Sequence, residues 1–119
     1  MRIIALSENT SENGRLATEH GLSVQYMLVE EKGRSVLFSG CSHRGILNIA
    51  ACFRPDILVG GFHFFHLPLD DTLRGYGRRL EQSGIRFITC HCTGQEQYAF
   101  LKEEMSRLSY LSAGTVLEI

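Results

Sequence analysis

Cysteine and histidine, residue types that bind transition metals or take part in nucleophilic catalysis, are concentrated in three short segments of this sequence. The segments read SGCSH, GGFHFFH and TCHCTG. Together they contain most of the residues of these two types: His43, His63, His66, His91, Cys41, Cys90 and Cys92. Each segment follows an apolar run typical of a strand, and reactive groups gather on the loops that follow strands of one sheet. We therefore expect the three segments to lie close together.

The spacing within these segments leaves three interpretations open. Imidazole and thiolate are usual donors for zinc, but Cys41 and His43 can bind one ion together only through an irregular turn. A thiol enzyme that uses Cys41 or Cys90 with a histidine base is the second interpretation. In the third interpretation, each residue is an ordinary buried side chain. The C-x-H spacing taken alone favours this interpretation, because it is less specific for metal binding than C-x-x-C spacing. A C-x-x-C redox motif and a phosphate-binding loop are disfavoured, because the spacing of neither occurs here.

Composition places the chain among globular proteins with one domain. It has 119 residues, 44% of them hydrophobic and 21% charged, with a net charge of −1. No run of lysine and arginine predicts binding to nucleic acid or a membrane surface, and the apolar runs are too short to span a bilayer. The start of the chain lacks the apolar core of a signal peptide, so we expect a cytoplasmic protein whose cysteines are free thiols or metal ligands rather than disulfides. Cys52, inside the apolar run NIAACF, is expected to be a small buried residue.

The order of predicted elements indicates an α/β layered domain with a mixed sheet. The pattern predicts strands at 2–6, 22–31, 35–40, 57–61, 85–90 and 110–119, and helices at 43–53 and 70–84. A third helix is predicted to start at a capping box formed by Thr93 and Glu96. Its apolar face is expected to run from Tyr98 to Leu108.

Four motifs in a fixed order resemble one branch of the metallo-β-lactamase-fold hydrolases. The motifs are VLFSGCSHRGILNI, VGGFHFF, HCTG and YLSAGTVLEI. The branch is the one described as similar to dihydropterin ribofuranosylaminobenzene phosphate synthase. The resemblance runs from about Glu19 to Ile119, and residues 1–18 match only loosely. It implies half of an αββα sandwich, with a mixed sheet and helices on one face.

The resemblance also implies a set of site residues. His91 corresponds to the last metal ligand of the family, and Cys41 to the position of a bridging aspartate or cysteine. His43 and His20 are further ligand positions, and His63 corresponds to a residue on the substrate side. The implied cofactor is a divalent metal, with zinc as the first choice and manganese or iron as alternatives. In complete members of the family this metal activates water for attack on an ester-like or phosphoester-like bond.

One defining segment of the family, H-x-H-x-D-H, is absent from this sequence. It supplies most of the first metal site, so the resemblance covers only the C-terminal half of the family fold. One or two retained donors cannot hold a catalytic ion, which needs about three protein ligands. We therefore expect a hydrolase-like protein with an incomplete metal site and a homodimer or a complementary N-terminal-half chain as partner. The alternatives are a non-catalytic half-domain for assembly or ligand binding, or one part of a split enzyme.

Overall fold

A computed structural model describes residues 2–8 and 24–119, with side chains from Tyr26 onward. Six strands, three helices and a short 3-10 turn occupy these residues. The strands are β1 (Arg2–Glu8), β2 (Val24–Glu31), β3 (Arg34–Ser39), β4 (Ile57–Val59), β5 (Arg86–Thr89) and β6 (Leu108–Tyr110). The helices are α1 (Ile46–Phe53), α2 (Asp71–Gln82) and α3 (Gln95–Lys102), and the 3-10 turn is His91–Thr93.

All six strands form one mixed sheet in which the spatial order, β1-β2-β3-β4-β5-β6, is the order of the chain. The first three strands pair antiparallel, whereas β3, β4, β5 and β6 are parallel neighbours. Each parallel connection contains one helix, and such crossovers are right-handed, so α1, α2 and α3 share one face of the sheet. This arrangement confirms the predicted α/β class, the mixed sheet and the placement of the helices.

The hydrophobic core lies between this helical layer and the sheet. Alternate residues of the strands point into it, among them Leu37, Leu58, Phe87 and Leu108, which are almost completely buried. The helices contribute Ile46, Ile49, Ala50, Leu73, Leu80 and Leu101 from their inward faces. Cys52 lies on the outside of α1 and is exposed, so its prediction as a buried residue was wrong.

The opposite face of the sheet carries an apolar groove with a volume of about 620 Å³. Strand residues that alternate with the core positions line the groove together with Ile119. The strand residues are Met27, Val29, Val36, Phe38 and Ile57. The charged residues Glu31, Lys32 and Arg34 also line it. In the part of the chain that the structure describes, no helix is long and apolar enough to cross a membrane.

Three predictions about the C-terminal third were wrong. The third helix ends at Lys102, and its expected apolar position Leu108 belongs instead to β6. The closing strand is three residues long, and residues 111–119 continue without regular structure. The capping box does not form either, since Gly94 occupies the N-cap position of α3 and no side chain caps it. Thr93 has another partner, described below.

A carboxylate joins the start of β3 to the start of β4, at the end of the sheet away from the three segments. The Asp56 carboxylate accepts hydrogen bonds from the Ser35 backbone N–H at 2.7 Å and from the Ser35 hydroxyl at 2.9 Å. The Asp56 backbone N–H in turn donates to the Ser35 hydroxyl at 3.0 Å. These bonds favour the charged carboxylate and lower the pKa of Asp56 below its ordinary value.

Replacing Asp56 with asparagine is expected to lower the free energy of unfolding at neutral pH. Because the pKa of Asp56 is lowered by folding, its contribution is present in full above the pKa of the unfolded state. That contribution is lost as the pH falls through the lower pKa of the folded state. Urea unfolding of wild type and Asp56→Asn should therefore show a difference near pH 7 that narrows below about pH 4. Glu118→Gln is the control, and a difference independent of pH would contradict the prediction.

Candidate functional site

The three segments rich in cysteine and histidine meet at one edge of the sheet, as the sequence indicates. They follow β3, β4 and β5, which are parallel neighbours and therefore end at the same edge. Main-chain hydrogen bonds join them: the Gly61 N–H donates to the Gly40 carbonyl at 2.9 Å. The Phe65 N–H donates to the Cys92 carbonyl at 3.1 Å. The segments thus form one continuous surface rather than three separate loops.

Two buried threonine hydroxyls fix the middle segment to the last one. The Phe62 N–H donates to the Thr93 hydroxyl at 2.9 Å, and the Thr89 hydroxyl donates to the Gly60 carbonyl at 3.2 Å. The two hydroxyls also bond to each other. Because the Phe62 N–H can only donate and the Gly60 carbonyl can only accept, Thr93 must donate to Thr89. This chain of bonds explains why Thr93 is unavailable as a helix cap.

Three histidine rings form a cluster on this surface. The ring centroids of His43 and His63 are 4.6 Å apart, and those of His63 and His66 are 5.5 Å apart. His63 lies at the centre, and its Nδ1 atom is buried without a hydrogen-bond partner among the described residues. Buried polar atoms in native structures normally have a partner, so this nitrogen is available to accept a hydrogen bond or to bind an ion. The sequence alone predicts no role for His66, although the H-F-F-H spacing places it three residues after His63.

The surroundings of His63 favour its neutral form. Burial lowers the pKa of this imidazole, and the neighbouring His43 and His66 rings lower it further. Neutral imidazole is the form that binds a metal ion or accepts a hydrogen bond. The unpartnered nitrogen of His63 is therefore suited to either role at neutral pH.

The three thiols of the site lie near one another. The Cys92 thiol lies 3.7 Å from the Cys41 carbonyl oxygen, and burial together with the Cys41 side chain raises its pKa to about 11. Burial, followed by the proximity of Cys41, also raises the pKa of Cys90. A Cβ atom on Gly61 would lie 2.5 Å from the Cys92 sulfur, so only glycine leaves room for this thiol. Thiols with raised pKa values are weak nucleophiles at neutral pH, which disfavours Cys90 as a catalytic thiol.

Each of the three segments contains a residue other than glycine in the left-handed backbone region. The φ angles are 56° at Ser42, 59° at His63 and 52° at His91. Such angles are unfavourable for residues with a Cβ atom and are enriched at functional sites. They turn the chain sharply at the end of each strand, which places His63 between His43 and His66. The backbone strain therefore lies where the reactive side chains lie.

The described residues do not by themselves form a metal site. His43 and His63 offer imidazole nitrogens, but no group of three or more His, Cys, Asp or Glu side chains in residues 26–119 is arranged to hold an ion. His91 is exposed in the 3-10 turn, and its side chain has no hydrogen bond or ring contact within this region. The Cys41 carbonyl accepts a hydrogen bond from the Cys92 thiol. His20 lies outside the described residues, and the ligand roles of His91, Cys41, His43 and His20 stay predictions.

Comparison with solved structures shows that this fold is similar to that of Tm1679, a metal-dependent hydrolase of the β-lactamase superfamily. The TM-score is 0.66 at 31% sequence identity, and the alignment covers 92% of this chain but 45% of that chain. No protein-family model and no curated protein matches the sequence. The chain thus spans less than half of the hydrolase that it resembles. Its fold is similar to that of one part of this metal-dependent hydrolase of the β-lactamase superfamily.

Proposed function

We propose that this chain forms one side of the active-site cleft of a metal-dependent hydrolase of the metallo-β-lactamase fold. The observation that carries the proposal is the buried, unpartnered Nδ1 of His63 beside the His43 ring, at the edge where three strands end. The structural likeness at 31% identity supports it, because the solved relative is itself metal-dependent. The closer resemblance, to the branch similar to dihydropterin ribofuranosylaminobenzene phosphate synthase, belongs to the same proposal. The assignment of this chain to one half of the αββα sandwich is also part of the proposal.

The metal in this proposal is a divalent ion, zinc first, with manganese or iron as alternatives. The predicted donors His43, His91, Cys41 and His20 belong to this site. We add His63 as a further imidazole donor on the basis of its unpartnered Nδ1 atom, although the resemblance places it on the substrate side. Since the described residues do not complete a site, the remaining donors come from residues outside them or from a partner. Either a second copy or a complementary chain would supply them at the same edge of the sheet.

The apolar groove on the opposite face of the sheet supports the proposal that this chain binds a partner chain. Phe38 in this groove is 37% exposed, and Ile119 at its end is 49% exposed. Contiguous apolar surface of this kind marks an interaction site. A module whose role is assembly or ligand binding, without catalysis, is therefore the second candidate function. The two candidates differ in whether the histidine cluster binds metal.

Metal binding by the purified chain tests the proposal. Wild-type protein is expected to bind zinc, and His63→Ala should weaken zinc binding at least tenfold, because a zinc site has few protein ligands and each is essential. His91→Ala and Cys41→Ser should also weaken it if their predicted roles are right. Cys52→Ser, which removes the exposed thiol of α1, is the matched control and should bind zinc like the wild type. Elemental analysis and competition with a chelating dye measure the effect.

The contrary result is equally definite. A wild-type chain that binds no zinc, manganese or iron, either alone or together with a complementary chain, would remove the hydrolase proposal and leave the assembly module. Sedimentation velocity on the same samples measures the oligomeric state. If the partner is a second copy of this chain, the protein should sediment as a dimer. A monomer that gains metal only with a complementary chain would identify a split enzyme.

A further inference from the structure

The side chains of Cys41 and Cys92 approach each other across the end of β4. Cys41 follows β3 and Cys92 follows β5, and β4 lies between these two strands. Strands two places apart in a sheet are separated by about 10 Å. The Cys92 sulfur nevertheless lies 3.7 Å from the Cys41 carbonyl oxygen, and the two side chains interact as well. The two segments therefore bring together thiols whose strands do not touch.

Gly61, in the segment after β4, leaves the space through which the Cys92 side chain reaches Cys41. A Cβ atom on Gly61 would lie 2.5 Å from the Cys92 sulfur and 3.3 Å from the Cys90 carbonyl oxygen. The backbone at Gly61 does not itself require glycine, since its φ angle is not positive. The need for glycine at this position thus comes from the passage of a thiol.

The two thiols differ in their access to solvent. Cys41 is half-buried, whereas Cys92 is only 9% exposed. A dissolved oxidant therefore reaches Cys41 first, and the neighbouring Cys92 sulfur is in place to displace the group that becomes attached. An accessible thiol beside a second, resolving thiol is a common arrangement in redox-sensitive proteins.

We propose that Cys41 and Cys92 form a site of reversible oxidation, at which a disulfide bond ties the segment after β3 to the segment after β5. The oxidant is a low-molecular-weight disulfide such as oxidised glutathione. The Cys41 sulfur attacks it, forms a mixed disulfide and releases one reduced thiol; the Cys92 sulfur then attacks Cys41 and releases the second. The protein loses two protons and two electrons, and the oxidant gains them as two thiol groups.

The disulfide changes the candidate metal site, and this part of the inference rests on the proposed hydrolase function. A sulfur–sulfur bond is about 2.0 Å long, so the two segments must draw together when it forms. His43 follows Cys41 after a single residue, Ser42, whose φ angle is 56°. Oxidation also removes the Cys41 thiol from the donors available to an ion. We therefore expect the oxidised chain to bind zinc about tenfold more weakly than the reduced chain.

Peptide mapping without reduction identifies the bond. The full chain is incubated for hours with oxidised glutathione, because the raised pKa of Cys92 slows its attack. After free thiols are alkylated, trypsin separates residues 35–44, which contain Cys41, from residues 87–102, which contain Cys92. Mass spectrometry of the wild type should find these peptides joined, and reduced glutathione should separate them. Cys90→Ser should keep the cross-link, whereas Cys92→Ser should lose it.

A pair of glycine variants tests the geometry with all thiols present. Gly61→Ala fills the space beside the Cys92 sulfur and should lose most of the cross-link. Gly75→Ala makes the same exchange on α2, where an added Cβ atom meets open space, and should form the cross-link like the wild type. If Gly61→Ala does not fold, the two serine variants decide the question.

Three results would overturn the inference. They are a wild type that forms no cross-link, a cross-link that persists in Cys92→Ser, and a folded Gly61→Ala variant that oxidises like the wild type. Equal zinc affinity of the oxidised and reduced chains would refute the effect on the site, whatever the peptide map shows. Zinc binding by the reduced chain, alone or together with a complementary chain, tests the hydrolase proposal separately, because the cross-link is measured without metal.

Discussion

Phe62→Ala is expected to lower the free energy of unfolding by about 3–5 kcal/mol, the usual cost of removing a buried phenylalanine ring. The Phe62 ring is almost completely buried. It meets Phe64 and Phe87 edge to face, with centroids 5.8 Å away in both pairs. Removing this ring would leave a cavity in the core beside the segment that follows β4.

The same substitution is expected to disturb the histidine cluster. His63 follows Phe62 directly and has a φ angle of 59°, which the surrounding structure must enforce. Without the anchoring ring, the backbone at His63 can relax toward a more favourable conformation. We therefore expect zinc binding to weaken in Phe62→Ala even at temperatures where the protein stays folded.

Phe65→Ala is the matched control, since it removes the same ring from the same segment at an exposed position. Its effect on unfolding should stay within about 1 kcal/mol, as for most surface substitutions. Chemical denaturation of both variants, followed by far-UV circular dichroism, gives the comparison. Equal destabilisation by the two substitutions would show that Phe62 does not anchor the segment.

The second large effect is expected for Thr93→Val, at about 1–3 kcal/mol. Valine keeps the shape of threonine but cannot accept the hydrogen bond that the Phe62 N–H donates at 2.9 Å. That N–H would then be buried without a partner, and the bond to the Thr89 hydroxyl would be lost as well. The cost arises from the unpaired group rather than from altered packing.

Two further substitutions isolate this cause. Thr93→Ser keeps the hydroxyl and should retain more stability than Thr93→Val, although serine is smaller. Thr72→Val makes the same exchange at an exposed position of α2 and should change stability by less than about 0.5 kcal/mol. Thermal unfolding of the three variants and the wild type gives the order of their stabilities. A Thr93→Ser variant less stable than Thr93→Val would indicate that volume matters more than the hydrogen bond.

The position of the site was predictable because it follows from topology. Parallel neighbouring strands end at one edge, so the segments after β3, β4 and β5 had to meet there. The internal arrangement was not predictable in the same way. His66 enters the cluster through a turn at His63 with positive φ, and an H-F-F-H spacing alone does not indicate such a turn.

The errors in the C-terminal third have a common physical cause, which is competition from partners distant in sequence. Thr93 has the local pattern of a helix cap, but the Phe62 N–H, 31 residues away, binds its hydroxyl. Leu108 continues the helical periodicity of α3, but it pairs with Phe87 in the sheet. Tertiary contacts override local preference in both cases, and a single sequence does not reveal them.

The agreement between strand order and chain order has a consequence for how the protein folds. Every strand pairs with the strand before it, so the β2–β3 hairpin can form first and each later helix and strand can add to its edge. Contacts between neighbours in sequence shorten the loops that folding must close, which favours a faster search. The bonds from Thr89 and Thr93 to Gly60 and Phe62 become possible only when β5 has joined. The edge that carries the histidine cluster is therefore among the last parts of the sheet to assemble, and its internal arrangement depends on the pairing of β5 with β4.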